Sequence, residues 1–279
     1  IRVGAALGLL AAGAIAAPLW QQRELARREA ACVAAGESIA EVWGEAPRGR
    51  LRAALATAGR AGEETFEKVV PWIDRWVGRW SEARVSACRA AEVERTAPPE
   101  QAALERACMA ERREELVALL EVLGEDPKSA AQRAVTAAAS LTPVEACADM
   151  AALARRPAPP YDPAQLVRLG ALRRDLLRIW GLGMAGRYAD GLTRAKELRA
   201  RAAAIGDAPL SAEAELQVGV MMGKLQQYDG AVQALERAFV AAGELGLDDL
   251  AATAANDLLF LVGHGQKRHE AATGWARAA

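Results

Sequence analysis

The chain has 279 residues, of which 52% are hydrophobic and 25% charged, and its 35 Lys+Arg against 36 Asp+Glu leave a net charge of -1. That balance excludes a disordered chain and a nucleic-acid binder working through a strongly basic surface. Strand formers are scarce, with 6 Ile, 8 Thr and 5% aromatics, while Ala, Leu, Arg and Glu dominate, so the expectation is an all-α chain with no sheet. Two His and four Cys leave little material for a metal site, and neither metal nor cofactor is expected. The sequence opens at Ile1 rather than Met and closes at Ala279 within a pattern, as a segment of a longer polypeptide would.

The first element is apolar. Residues 3–20 carry no charge over 18 positions, the length of a membrane-spanning helix, so residues 1–20 are assigned as a transmembrane helix. Gly4 and Gly8 form a GxxxG pair through which two such helices could dimerise. Trp20 suits the interface, and Ala14-Ile15-Ala16 has the form of a signal-peptide cleavage site, so an exported chain or a buried helix are the alternatives.

Residues 21–156 read as a helical domain. A helix after Gln21 is broken at Gly44 to Gly49. A long helical region covers 63–93 around Pro71, and another helix covers 104–123, stopped by Gly124 and Pro127. Ser129 and Pro143 open the next two. Trp72, Trp76 and Trp80 recur every four residues, as a packing seam or an aromatic partner face would. The run from Glu111 to Glu115 reads as a solvated charged face.

This segment holds Cys32, Cys88, Cys108 and Cys147. They form no CxxC, and no His is near, so zinc has no support. Four small buried thiols or two disulfides both fit, and three connectivities are open. Joining neighbouring helices, Cys32 with Cys88 and Cys108 with Cys147, is the simplest of them.

Four prolines within residues 155–163 make 157–163 a semi-rigid linker. Residues 164–279 then repeat. Gly186-Arg187-Tyr188 with Gly191, Tyr228 with Ala231, and His269 with Ala272 align at steps of 40 and 41 residues. The small residue three after each aromatic or His lets a paired helix approach closely. Helical stretches at 209–225 and 247–262 lie between. The unit is a helix–turn–helix that must stack on neighbours to bury its apolar face.

These residues resemble the tetratricopeptide (TPR) repeat in its longer form. The whole order also resembles the C-terminal half of the membrane-anchored serine/threonine protein kinases of myxobacteria and related bacteria. That order is an apolar span, a helical domain with four cysteines, the run at 138–149, a Pro-rich linker and Gly186-Arg187-Tyr188 repeats. The resemblance implies a TPR-like α-solenoid that binds a protein or peptide in its groove. It also implies an inner-membrane anchor at residues 1–20, with residues 21–279 outside the cytoplasm. A stand-alone anchored or exported TPR adaptor is the alternative, and an enzyme fragment with its site in the helical domain is the third.

Catalysis is not expected of this segment. Val-Ala-Ile-Lys, His-Arg-Asp and Asp-Phe-Gly are all absent. Gly181, Gly183 and Gly186 spell GxGxxG, but a helix rather than a strand precedes them, so phosphate binding is not inferred. His264 reads as a solvated turn residue, and His269 as a substitute for tyrosine in the repeat core.

Overall fold

The computed structural model of the chain describes residues 2–155 and 163–278, and for residues 2–19 and 163–166 it describes the helical backbone alone. Every element among the described residues is helical, and none is a strand. The chain is therefore all-α.

The first part comprises α1 (Arg2–Glu37), α2 (Ala40–Trp43), α3 (Glu45–Ala56), α4 (Arg60–Cys88), α5 (Pro99–Glu125), α6 (Pro127–Ala139) and α7 (Met150–Ala154). A π-helical turn, Arg89–Val93, extends α4, and a 3-10 turn, Val144–Ala148, precedes α7. The starts follow local chemistry. Pro99 and Pro127 occupy first-turn positions, where a missing N–H costs nothing. The Asp126 carboxylate accepts from Ser129 N at 3.3 Å, and that of Asp149 from Ala152 N at 2.9 Å. The stretch from Gly44 to Gly49 does break the chain, but only at Gly44, and the residues after it form the first turns of α3.

Among the described residues no helix is long and apolar enough to cross a membrane. Residues 3–19, with Gly4 and Gly8, lie outside those whose side chains are described, and Trp20 is exposed.

One apolar core joins α3, α4, α5 and α6. Trp76 and Trp80 lie in it, and each indole finds an acceptor. Trp76 Nε1 donates to Thr142 O at 2.9 Å, and Trp80 Nε1 to Met109 O at 2.9 Å. Trp43 donates to Asp74 Oδ1 at 2.7 Å. Trp72 departs from the packing seam: it is 42% exposed and meets Arg75 instead. The reason is geometric. Four residues advance a helix by about 400°, so the stripe drifts about 80° from Trp72 to Trp80.

The charged run from Glu111 to Glu115 is not a solvated face throughout. Arg112 and Glu115 are buried, at 8% and 2% exposure, and their charged ends meet at 2.8 Å. Glu115 also accepts from Thr142 N at 2.8 Å and Thr142 Oγ1 at 3.0 Å. Burial pushes the Glu115 carboxyl above its ordinary value, while Arg112 and Thr142 pull it back. Replacing one partner strands the other without solvent. Arg112→Met is expected to lower unfolding free energy in urea by about 3–5 kcal/mol. The double variant Arg112→Met/Glu115→Leu is expected to recover a large part of that loss. A double variant as unstable as the single would show that the pair does not act as a unit.

Candidate partner-binding surface

The second part is a run of helices, α8 (Pro163–Met184), α9 (Tyr188–Ala204), α10 (Ala208–Lys224), α11 (Tyr228–Leu245), α12 (Asp248–Phe260) and α13 (His269–Trp275). Each packs against the next, and α10 also touches α8 and α12. A π-helical turn, Leu261–Gly265, leads from α12 towards α13.

The turns before α9, α11 and α13 have one design. Tyr188, Tyr228 and His269 are each the first residue of their helix. The residue before each has nearly the same backbone: Arg187 at φ -85, ψ 57, Gln227 at φ -86, ψ 59, and Arg268 at φ -99, ψ 69. The residue before that is left-handed in all three, with φ 81 at Gly186, 61 at Gln226 and 58 at Lys267. Only the first is glycine, the residue that adopts this conformation without steric cost. In the first two turns a six-residue Schellman bond closes the preceding helix, from Arg187 N to Leu182 O at 2.8 Å and from Gln227 N to Met222 O at 2.9 Å.

The small residues admit the neighbouring helix. A Cβ on Gly191 would meet Met221 Sδ at 3.0 Å, and one on Gly183 would meet Met221 Cε at 2.6 Å. Met221 thus fills a slot that both glycines open between α8, α9 and α10. Ala231 and Ala272 are buried at the equivalent places. Gly183 and Gly181 lie within α8, so the GxGxxG spelling is accounted for by helix contacts and one turn glycine. His269 is exposed, which corrects its reading as a core substitute for tyrosine. His264 is exposed too, but its ring stacks on Phe260 at 5.1 Å.

Helix α10 is buried on most sides. Glu213, Gln217, Val220 and Lys224, spaced by four, three and four, form a partly open stripe along it. Arg173 of α8 approaches Glu213 at 3.7 Å at one end. Asp257 of α12 feels Lys224 at the other, and burial raises its carboxyl while that ammonium lowers it. The stripe therefore runs from α8 to α12 as a polar row with one apolar centre at Val220. Glu215 lies off this stripe and is buried, held by Arg199 Nη1 at 2.6 Å from α9 and by Arg237 Nη2 at 2.6 Å from α11. A further open depression of about 490 Å³ lies beside Tyr228 and Gln266, where Gln266 Nε2 donates to Asp229 Oδ1 at 2.8 Å.

The cysteines sit in the other part of the chain. Cys32 pairs with Cys88 and Cys108 with Cys147, at Cα separations of 5.3 and 5.6 Å, and no cysteine is free. These are the two pairs that join neighbouring helices. Among the described residues no cluster of His, Cys, Asp and Glu could hold a metal.

Comparison with family models, with curated proteins and with solved structures gives no match to this chain.

The two parts meet at Glu125. This carboxylate, at the end of α5, takes an ion pair from Arg178 of α8 and another from Arg187 at 3.2 Å. Burial raises the Glu125 carboxyl, but the hydrogen bonds and charges of Arg178 and Arg187 outweigh it and leave the group below its ordinary value of 4.5. A depressed folded-state value means the stabilisation is present above the ordinary carboxyl range and is lost as pH falls through and below it. Glu125→Gln is therefore expected to lower the unfolding midpoint at neutral pH, and the gap from wild type should close as pH drops below 4.5. A gap that stays constant with pH would show that charge is not what Glu125 contributes.

Proposed function

We propose that residues 164–279 are a TPR-like α-solenoid that binds a protein or peptide, and that the chain is the non-catalytic sensor or scaffold part of a membrane-anchored serine/threonine protein kinase. The observation that carries the binding reading is the shared turn before α9, α11 and α13, with left-handed Gly186, Gln226 and Lys267 spaced like the sequence repeat. Glutamine and lysine adopt this conformation only at a steric cost, and it recurs at the step of the sequence repeat. Stacked units of this kind create extended surfaces, and the α10 stripe between α8 and α12 is the polar row such a surface offers. Support for the kinase assignment is the resemblance in element order together with the two disulfides, which suit a domain outside the cytoplasm.

A photo-crosslinking residue placed at Val220, within the stripe, is expected to capture a partner in cells. The same residue at Val240, exposed on α11, is the control. Capture at Val220 should be lost on Lys224→Glu. Equal capture at both positions, or none at either, overturns the assigned surface. The kinase assignment is read from the coding frame upstream of Ile1. A His-Arg-Asp catalytic loop there supports it, and a start codon a few residues upstream leaves the anchored adaptor instead. The purified chain is expected to show no ATP affinity. Binding that disappears on Gly183→Val would overturn the reading of that glycine as a packing residue.

A further inference from the structure

Helix α1 is held to the domain in an unusual way. Between positions 20 and 37 only Cys32 and Gly36 are buried, and among the described residues none of this stretch belongs to the core of the helical domain, whose first member is Ile39. Gly36 brings no side chain. It lies so close to α4 that a Cβ there would be 2.8 Å from Ser81 O. Other contacts of this segment include polar ones near solvent: Arg89 pairs with Glu29, and Arg28 Nη1 donates to Glu92 O at 3.2 Å. Exposed pairs of this kind contribute little. The covalent bond from Cys32 to Cys88 is therefore the strongest single tie between residues 20–37 and α4.

The two disulfides also differ in access. Cys108 and Cys147 are 3% and 1% exposed, and the 3-10 turn carrying Cys147 is tied down nearby by Trp76 and Glu115 through Thr142. Cys32 is fully buried, but Cys88 is partly open at the end of α4. The first bridge thus has one partly open end, and the second has none.

We propose that the Cys32–Cys88 disulfide is a redox-operated latch that sets whether α1 is fixed to the domain. The partner reagent is a dithiol, such as the CxxC pair of a disulfide reductase. One thiolate of that dithiol attacks Cys88 Sγ, and the Cys32–Cys88 bond breaks. Cys32 leaves as a thiolate and takes a proton from water. The second thiol of the reagent then attacks the mixed disulfide and releases Cys88, and the reagent ends as a disulfide. Two electrons pass to the protein, and residues 20–37 keep their polar contacts and the Gly36 contact but lose their covalent tie to α4. It pivots about residues 37–39, because Ile39 remains anchored in the core. The latch depends neither on the repeat assignment nor on a membrane span.

The test uses the intact chain under native conditions. Dithiothreitol is titrated in, free thiols are trapped by alkylation, and peptides are weighed while hydrogen exchange is followed. Cys32 and Cys88 are expected to be alkylated about tenfold faster than Cys108 and Cys147. Exchange should rise in residues 28–37 while α5 stays protected. Cys32→Ser/Cys88→Ser should reproduce that exchange pattern without reductant, and Cys108→Ser/Cys147→Ser should not. Simultaneous reduction of both bridges, earlier reduction of Cys108–Cys147, or unchanged protection of residues 28–37 after reduction each overturns the latch.

Discussion

The burial of Arg112 and Glu115 on α5 is the constraint around which the helical domain is arranged. A carboxylate and a guanidinium removed from water need each other and a further hydrogen-bond donor. The donor is Thr142, whose N–H and hydroxyl both reach Glu115. Thr142 therefore has to lie across α5, and its carbonyl then accepts from Trp76 of α4. The loop so placed leads directly into the 3-10 turn of Cys147, which meets Cys108 one turn before Arg112 on α5. One charged pair thus positions a loop, a tryptophan and a disulfide. The bridge, closing a loop of 39 residues, adds roughly 4 kcal/mol in the chain-entropy description.

The repeat part is arranged around a different constraint, the scarcity of large side chains. Alanines and glycines bury little area each, so stability has to come from close approach and from the few long residues between helices. Met221 in the slot left by Gly183 and Gly191 is one such place. A second is Gly219, where a Cβ would lie 2.6 Å from Leu235 Cγ. Close approach leaves short connections, and short connections need a left-handed residue. Gly186, Gln226 and Lys267 meet that need in three successive units.

The helical class, the break after Gly124 and the equivalence of Tyr188, Tyr228 and His269 as helix starts were legible because each has a local cause in spacing or small residues, whereas α5 starts at Pro99 rather than 104 and α6 at Pro127 rather than Ser129. What was not read came from tertiary packing. Arg112 and Glu115 were taken with their charged neighbours. Yet Cys108, Arg112, Glu115, Leu119 and Val122 follow one helical stripe, and all are buried. That periodicity was the available signal, and it was obscured by the expectation that charge means solvent. Glu215 likewise shares the buried side of α10 with Ala212, Leu216 and Gly219, where a carboxylate needs partners. The exposure of Trp72 had a signal too, in the drift of a four-residue spacing around the helix, whereas that of His269 had none.

Helix α8 determines how the two parts relate. It follows the Pro-rich segment, so chain order places it in the repeats, but its packing places it in both cores. Leu182, and Ala185 just past the end of the helix, belong to the core built by α3 to α6, while Leu169, Leu172 and Ile179 belong to the core shared with α9 and α10. Gly181 lets it lie against α5, where a Cβ would be 3.3 Å from Ala118 O. Arg133 of α6 lies over the Tyr188 ring at 5.5 Å, and Ser129 Oγ donates to Ala185 O at 3.2 Å, so the first repeat turn is gripped from the helical domain as well. A helix buried on two faces cannot turn about its axis without opening one core. Displacement of α9 and α10 by a bound partner would therefore be resisted at α5, through the same contacts that carry Glu125. The semi-rigid linker expected at 157–163 lies outside the described residues except for Pro163, which opens α8, and the parts on either side of it are joined by packed side chains.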